Sequence, residues 1–197
     1  MMRYLAIVFA LFLMFGCASQ EETIPKSSAL KVGESVELTS VYGVKIKLKR
    51  VEGGLVQEGK ENAVLIFDIF GTFCEPCKKE APALMNLQLK YISNMTLIGL
   101  SYFEEVDEKY IIENFAKPYN AHYFIAKNSA ANKALADTIT EDIKYKSLIS
   151  LPFKVVLKDG KYRDVTDVWE NKTDNKYYIG AIDTAVIEKD LKRILKE

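Results

Sequence analysis

The chain has 197 residues, with 27 basic against 27 acidic side chains, 49% hydrophobic and 11% aromatic residues. That length suits one ordinary domain with a substantial core, and so high a hydrophobic content excludes disordered and collagen-like chains. Zero net charge argues against a protein built to hold phosphate backbones, so nucleic acid is not an expected partner.

Met1, Met2 and Arg3 put a small positive charge ahead of an unbroken apolar run at 4–15, and Gly16 and Cys17 follow. A membrane-spanning helix needs about 20 apolar residues, and a buried amphipathic helix would carry a polar face that this run lacks. Residues 1–16 therefore read as a secretion signal. The segment Leu13-Met14-Phe15-Gly16-Cys17 resembles a bacterial lipobox, in which the cysteine is acylated and becomes the mature N-terminus, although Phe15 is bulkier than the residue usual at its place. Cys17 is thus the lipidation candidate, and each acyl CH₂ buried in the bilayer contributes about 0.8 kcal/mol. Residues 17–31 are polar and lack helical periodicity. They read as a flexible linker with a random-coil span of about 20 Å, holding a domain at 32–197 close to its membrane. Loss of the signal removes Arg3 and no acid, so the tethered domain stays near neutral.

The domain opens with period-two patterning: residues 36–38, then Val44, Ile46 and Leu48 alternating with lysines, form an N-terminal β-hairpin that turns at Tyr42 and Gly43. Gly53, Gly54 and Gly59 then interrupt the pattern. Residues 63–70 form a continuous apolar run suited to a central strand covered on both faces, with Asp68 as its exception. A helix is expected over 76–91, where Ala81, Leu84, Leu87 and Tyr91 recur at spacings of three and four, with Pro82 disturbing it. A second buried strand follows at 95–100, and a second helix at 107–117 ends at Pro118. A short strand at 121–126 includes His122, and a helix runs from 129 to about 139. Strands at 152–157 and 161–168 flank Asp159-Gly160, a strong hairpin signal, and residues 184–195 form an amphipathic closing helix. This order predicts an α/β fold with a central mixed β-sheet flanked by helices.

The chemistry lies between the first central strand and its helix. Cys74-Glu75-Pro76-Cys77 places two thiols three residues apart where a helix begins. Helix N-termini present unpaired N–H groups and positive partial charge, which favour a thiolate at Cys74 and make it the nucleophile. Cys77, one turn inside, is placed to close a disulfide after Cys74 has attacked. Pro76 fits the first turn, where its missing N–H costs nothing. The neighbouring Glu75 carboxylate opposes the thiolate, which argues for a reductant over a strong oxidant. A zinc site lacks ligands beyond Cys17 and His122, haem attachment would need histidine where Lys78 stands, and a purely structural disulfide this short constrains the unfolded chain little.

The stretch Phe70-Gly-Thr-Phe-Cys74-Glu-Pro-Cys77-Lys-Lys-Glu80-Ala-Pro82 resembles the active-site segment of the membrane-tethered, thioredoxin-like thiol-disulfide oxidoreductases of bacterial envelopes, the TlpA/ResA group. Leu151-Pro152-Phe153 opening an apolar strand, then Asp159-Gly160 and a final helix, resembles the rest of that family's pattern. Phe73 replaces the tryptophan usual before the first cysteine, and Phe153 replaces a small hydroxyl residue. The resemblance implies a thioredoxin-like fold, Cys74 as attacking thiolate, Cys77 as resolving thiol, Pro152 as a cis-proline facing the disulfide, and Glu80 as an aid to proton transfer. The alternative for Pro152 is a trans strand-start proline, and for Glu80 a solvated helix carboxylate. Asp68 is either a buried proton relay under the cysteines or a strand-edge acid, and His122 reads as a strand residue.

The function implied is thiol-disulfide exchange on protein substrates in the periplasm, in the reducing direction, by a monomer needing no cofactor. A membrane thiol-disulfide protein would supply electrons, and apocytochrome c is one substrate that the family suggests, with a place in cytochrome c maturation. A copper-delivery protein would pair the cysteines with His122. A thiol-dependent peroxide reductase would need a threonine three residues before the cysteine and a nearby arginine, whereas Thr72 precedes Cys74 by two and Arg50 and Arg163 stand in other elements.

Overall fold

The computed structural model describes residues 28–127 and 129–197. Its centre is a mixed sheet in the order β11-β7-β4-β5-β6. Strand β4 (Val64–Phe70) runs parallel to β5 (Met95–Ser101), β5 parallel to β6 (Phe124–Ala126), and β7 (Phe153–Lys158) antiparallel to β4. The short β11 (Tyr178–Ile179) and β8 (Lys161–Tyr162) pair with β7. All seven residues of β4 are buried, as a strand covered on both faces requires.

Side-chain alternation splits β4 between two cores. Val64, Ile66 and Phe70 face α1 (Glu75–Lys90) and α4 (Thr184–Ile194), where Leu84, Leu87, Ile187 and Leu191 pack on them. Leu65, Phe67 and Ile69 face α3 (Ser129–Asp142) and an N-terminal sheet. That sheet has three antiparallel strands, β1 (Ser35–Thr39), β2 (Lys45–Val51) and β3 (Gly54–Gln57), so the expected hairpin gains a strand. Gly53, at φ 94°, makes its tight β2–β3 turn, whereas Gly59 lies beyond β3. Leu38, Leu48 and Leu55 from the three strands are fully buried against the central sheet. Arg50 fastens the edge, donating to the Val51 and Gly54 carbonyls and pairing with Asp142, which also accepts from Tyr162 Oη at 2.9 Å.

Other expectations shift locally. The second helix is one α-turn, α2 (Glu108–Ile111), continuing as a π-helical turn at Ile112–Ala116. Strand β6 begins only at Phe124, leaving His122 in the preceding loop. The 161–168 stretch divides into β8 and β9 (Val165–Asp167), and β9 pairs with a hairpin partner, β10 (Lys172–Asn175). The Asp159-Gly160 turn is present, with both residues at positive φ. A side chain at Gly160 would meet Val51 of β2 at 2.6 Å, so this turn also lets the N-terminal sheet approach.

The last residues of the expected linker are held: Ser28 donates through N–H and Oγ to Asp137, and Leu30 N–H donates to Thr138. Residues 28–30 are therefore tied to α3. Residues 1–16 and Cys17 lie outside the described residues. No helix among the described residues is long and apolar enough to cross a membrane.

Candidate functional site

The parallel β4–β5 register brings the C-terminal ends of both strands to one sheet edge, and antiparallel β7 begins at that same edge. Cys74 and Cys77 sit there as a disulfide, with Cα atoms 5.3 Å apart. Cys74 is the N-cap of α1, and its Sγ accepts the Cys77 N–H at 3.2 Å. The sulfur thus occupies the place of the usual capping oxygen, next to the positive end of the helix. Pro76 lies in the first turn, and α1 runs unbroken through Pro82. Both cysteines are buried, whereas Phe73 beside them is 57% exposed and forms an apolar rim.

The loop before Cys74 is clamped from the neighbouring strand end. Glu104 accepts the Thr72 N–H at 2.7 Å through Oε1 and the Thr72 hydroxyl at 2.5 Å through Oε2. Glu104 also lines an open cleft of about 580 Å³ with Tyr102, Phe103 and Lys133. Phe103, at φ 64° and 58% exposed, stands at its edge. The Leu151–Pro152 bond is cis, and the Pro152 carbonyl accepts the Gly180 N–H at 2.9 Å.

Beneath the cysteine turn lies a charged cluster inside the apolar core. One rung of the sheet carries Lys154 of β7 opposite Asp68 of β4, which is opposite Gly99 of β5. Gly99 leaves room above this rung: a Cβ there would stand 3.1 Å from the Tyr123 ring. Tyr123 Oη donates to Asp68 at 3.4 Å. From the helix side Glu80, three residues beyond Cys77 on the same buried face of α1, reaches the same spot. Lys154 Nζ lies 2.7 Å from Glu80 Oε2 and 3.8 Å from Asp68 Oδ1, as ion pairs without hydrogen-bond alignment. The Ile182 N–H donates to Glu80 Oε1 at 3.2 Å.

Burial is the main electrostatic influence here. It pushes the Glu80 carboxyl up to about 7, against the pull of Lys154 and with a further push from Asp68. The Asp68 carboxyl is likewise raised by burial and partly relieved by Lys154, and the Tyr123 hydroxyl is held neutral.

The structure thus brings together Cys74, Cys77 and Glu80 on one helix, and buries Asp68 in the layer under that helix. Glu80 is 6% exposed and ion-paired, which overturns the solvated-carboxylate alternative. Glu75 points away and pairs with Lys78 at 2.6 Å, which holds its carboxyl below the usual range. Its charge is offset, and the buried carboxyls nearest the cysteine turn are those of Glu80 on α1 itself and Asp68 on the strand beneath it. His122 is exposed and shares a hydrogen bond of 2.9 Å with Tyr42. Sequence reasoning missed Lys154 and Glu104. A lysine inside the apolar run Phe153–Lys158 was a usable signal, since a lone charge in a buried strand requires a partner; Glu104 had no local signal.

No protein-family model matches the chain. Among solved structures, a thioredoxin-family thiol:disulfide interchange protein from Chlorobium tepidum matches with a TM-score of 0.56 at 17% identity, over 84% of this chain and 96% of that one. StoA from Bacillus subtilis matches with a TM-score of 0.50 at 17% identity, over 84% and 98%. These likenesses show a thioredoxin-like fold. In sequence, the thiol-disulfide oxidoreductase ResA of Bacillus cereus is 30% identical over 142 residues, 69% of each chain. At that identity and coverage the chain belongs to the ResA family of thiol-disulfide oxidoreductases.

Proposed function

We propose that this oxidoreductase works as a reductase of protein disulfides outside the cytoplasm, with Cys74 as nucleophile and Cys77 as resolving thiol. The observation that carries this reading is the setting of the pair: a cysteine-capped helix N-terminus lying over two buried carboxylates that share one lysine. The helix end favours the Cys74 thiolate enough for attack, while buried negative charge and desolvation keep the thiols from becoming strongly acidic. A dithiol whose reduced form is not strongly stabilised gives up its electrons readily.

In the reaction, Cys74 thiolate attacks one sulfur of a substrate disulfide, and the other sulfur leaves as a thiolate that takes a proton from water. Cys77 then loses its proton to the Glu80 carboxylate and attacks Cys74 Sγ. The Cys74–Cys77 bond forms, the mixed disulfide breaks, and the substrate departs as a dithiol with two electrons gained. Pro152, on the same sheet edge, borders the path by which a substrate chain reaches Cys74. A thiol-disulfide protein of the membrane returns the electrons, residues 1–16 direct export, and an acylated Cys17 keeps the domain at the membrane surface as a monomer. Apocytochrome c, whose cysteines must be reduced before haem is attached, fits this role as substrate.

The test is reduction of insulin disulfides by the soluble domain. Wild type accelerates it above the rate of the reductant alone, and Cys74→Ser falls to that background. Full activity in Cys74→Ser would overturn the assignment.

A further inference from the structure

The cluster under the cysteines has an unequal count of charges. Asp68 is 2% exposed, Glu80 6%, and Lys154 fully buried, so two carboxyls face one ammonium inside the core. Fully ionised, the cluster would carry one uncompensated negative charge in the core, which burial opposes strongly. Remaining donors are few: Tyr123 Oη reaches Asp68, and the Ile182 N–H reaches Glu80. Asp68 Oδ1, Glu80 Oε2 and Lys154 Nζ have no aligned hydrogen bond. Carboxyls this closely coupled lose their protons in steps that belong to the cluster and not to either residue.

Lys154 is brought to this position by the fold. Its Cα lies opposite that of Asp68 in the β7–β4 register, and apolar Phe153 and Val155 point to the other core. Its ammonium is nearer to Glu80 than to Asp68, 2.7 Å against 3.8 Å, so it acts most strongly on the carboxyl one helical turn beyond Cys77. We propose that Lys154 is a positioning residue for thiol-disulfide exchange: its buried ammonium holds the Glu80 carboxylate in place to take the proton that the resolving thiol must lose. The inference rests on the reading of Glu80 as that proton acceptor.

The pH dependence follows from the groups that face Glu80. These are Lys154 from β7, Asp68 from β4, the Tyr123 hydroxyl from the loop before β6, the cysteine pair on its own helix, and the Ile182 N–H ahead of α4. Lys154 is the cation among them, and it draws the Glu80 carboxyl down against the effect of burial. Without it the carboxyl stays protonated to higher pH and cannot accept a proton at neutrality.

Stopped-flow oxidation of the reduced protein by an aromatic disulfide that releases coloured thiolate separates the steps. The first release reports attack by Cys74, and the second reports resolution by Cys77. In wild type the second phase accelerates with pH through an inflection near neutrality. Lys154→Met moves that inflection upward by about one pH unit or more and slows the second phase about tenfold at pH 7, since one unit is tenfold in ionisation. Glu80→Gln abolishes the inflection, and adding Lys154→Met to it shifts nothing further. An inflection unmoved in folded Lys154→Met, but lost in Glu80→Gln, overturns the role of Lys154 alone. An inflection that survives Glu80→Gln overturns the Glu80 reading and this inference with it.

Should Lys154→Met not fold, magnetic resonance of the wild-type reduced protein decides. The signal of the Lys154 side chain is expected to move with the same midpoint as the Glu80 carboxyl carbon. A signal indifferent to the Glu80 midpoint contradicts the inference.

Discussion

Glu80 on α1 and Asp190 on α4 are two carboxylates buried in the same helical layer, and the fold treats them in opposite ways. Asp190 accepts the Thr166 N–H at 2.7 Å, the Thr166 hydroxyl at 3.0 Å and the Tyr178 hydroxyl at 2.6 Å, with Arg193 at 3.2 Å. It ties β9 and β11 to the closing helix. Glu80 has one backbone N–H and a share of one lysine. Buried carboxylates with a full set of donors are anchors; one with a deficit has a raised affinity for protons and can carry them. Residue type and burial are alike at the two places, so the supply of donors distinguishes structural from chemical use.

Removing Asp190 probes the anchored side and carries the largest expected loss of stability. Asp190→Ala leaves the Tyr178 hydroxyl and the Thr166 N–H without their acceptor, each costing about 1–3 kcal/mol. Denaturant unfolding should show the full loss, while the activity of the folded fraction stays within about twofold of wild type, the scale of a minor change in transition-state binding.

The Glu80 side predicts a pH slope. Its carboxyl is raised from 4.5 to about 7 by burial, so within that window the folded protein holds a proton that the unfolded chain releases. Stability of the oxidised protein therefore falls as pH rises from 5 to 8, by on the order of 3 kcal/mol. Asp68, also raised by burial, acts in the same direction. Unfolding free energies measured across this range should slope downward in wild type and flatten in Glu80→Gln. An equal slope in both would remove the contrast with Asp190.

The smallest effect is expected outside both clusters. Glu75 is exposed and paired with Lys78, so Glu75→Gln should leave the melting temperature unchanged. It should alter the rate of exchange by less than about twofold, since exposed ion pairs contribute little. A large rate change would restore Glu75 as the charge governing Cys74.

Legibility in the sequence followed the range of the interactions. Strand β4, helices α1 and α4, the Asp159-Gly160 turn and the cysteine-capped helix start were readable because periodicity, turn chemistry and capping are local. Strands β10 and β11 escaped because Lys172–Asn175 is largely exposed and Tyr178–Ile179 is held by its place beside β7 and by Asp190. Glu80 was named but its surroundings were not. Its ion-pair partner Lys154, 74 positions later, arrives opposite Asp68 through antiparallel pairing. His122 looked like a strand residue because apolar neighbours surround it, yet pairing with β5 starts only at Phe124.

The most direct measurement of the central claim is the equilibrium reduction potential of the Cys74–Cys77 pair in the soluble domain, set against a glutathione or dithiothreitol couple at pH 7. A helix-capping thiol over surplus buried carboxylate predicts a reductant, with a value near the roughly −270 mV of thioredoxin. A value near about −120 mV, that of a strong oxidant, would contradict the account.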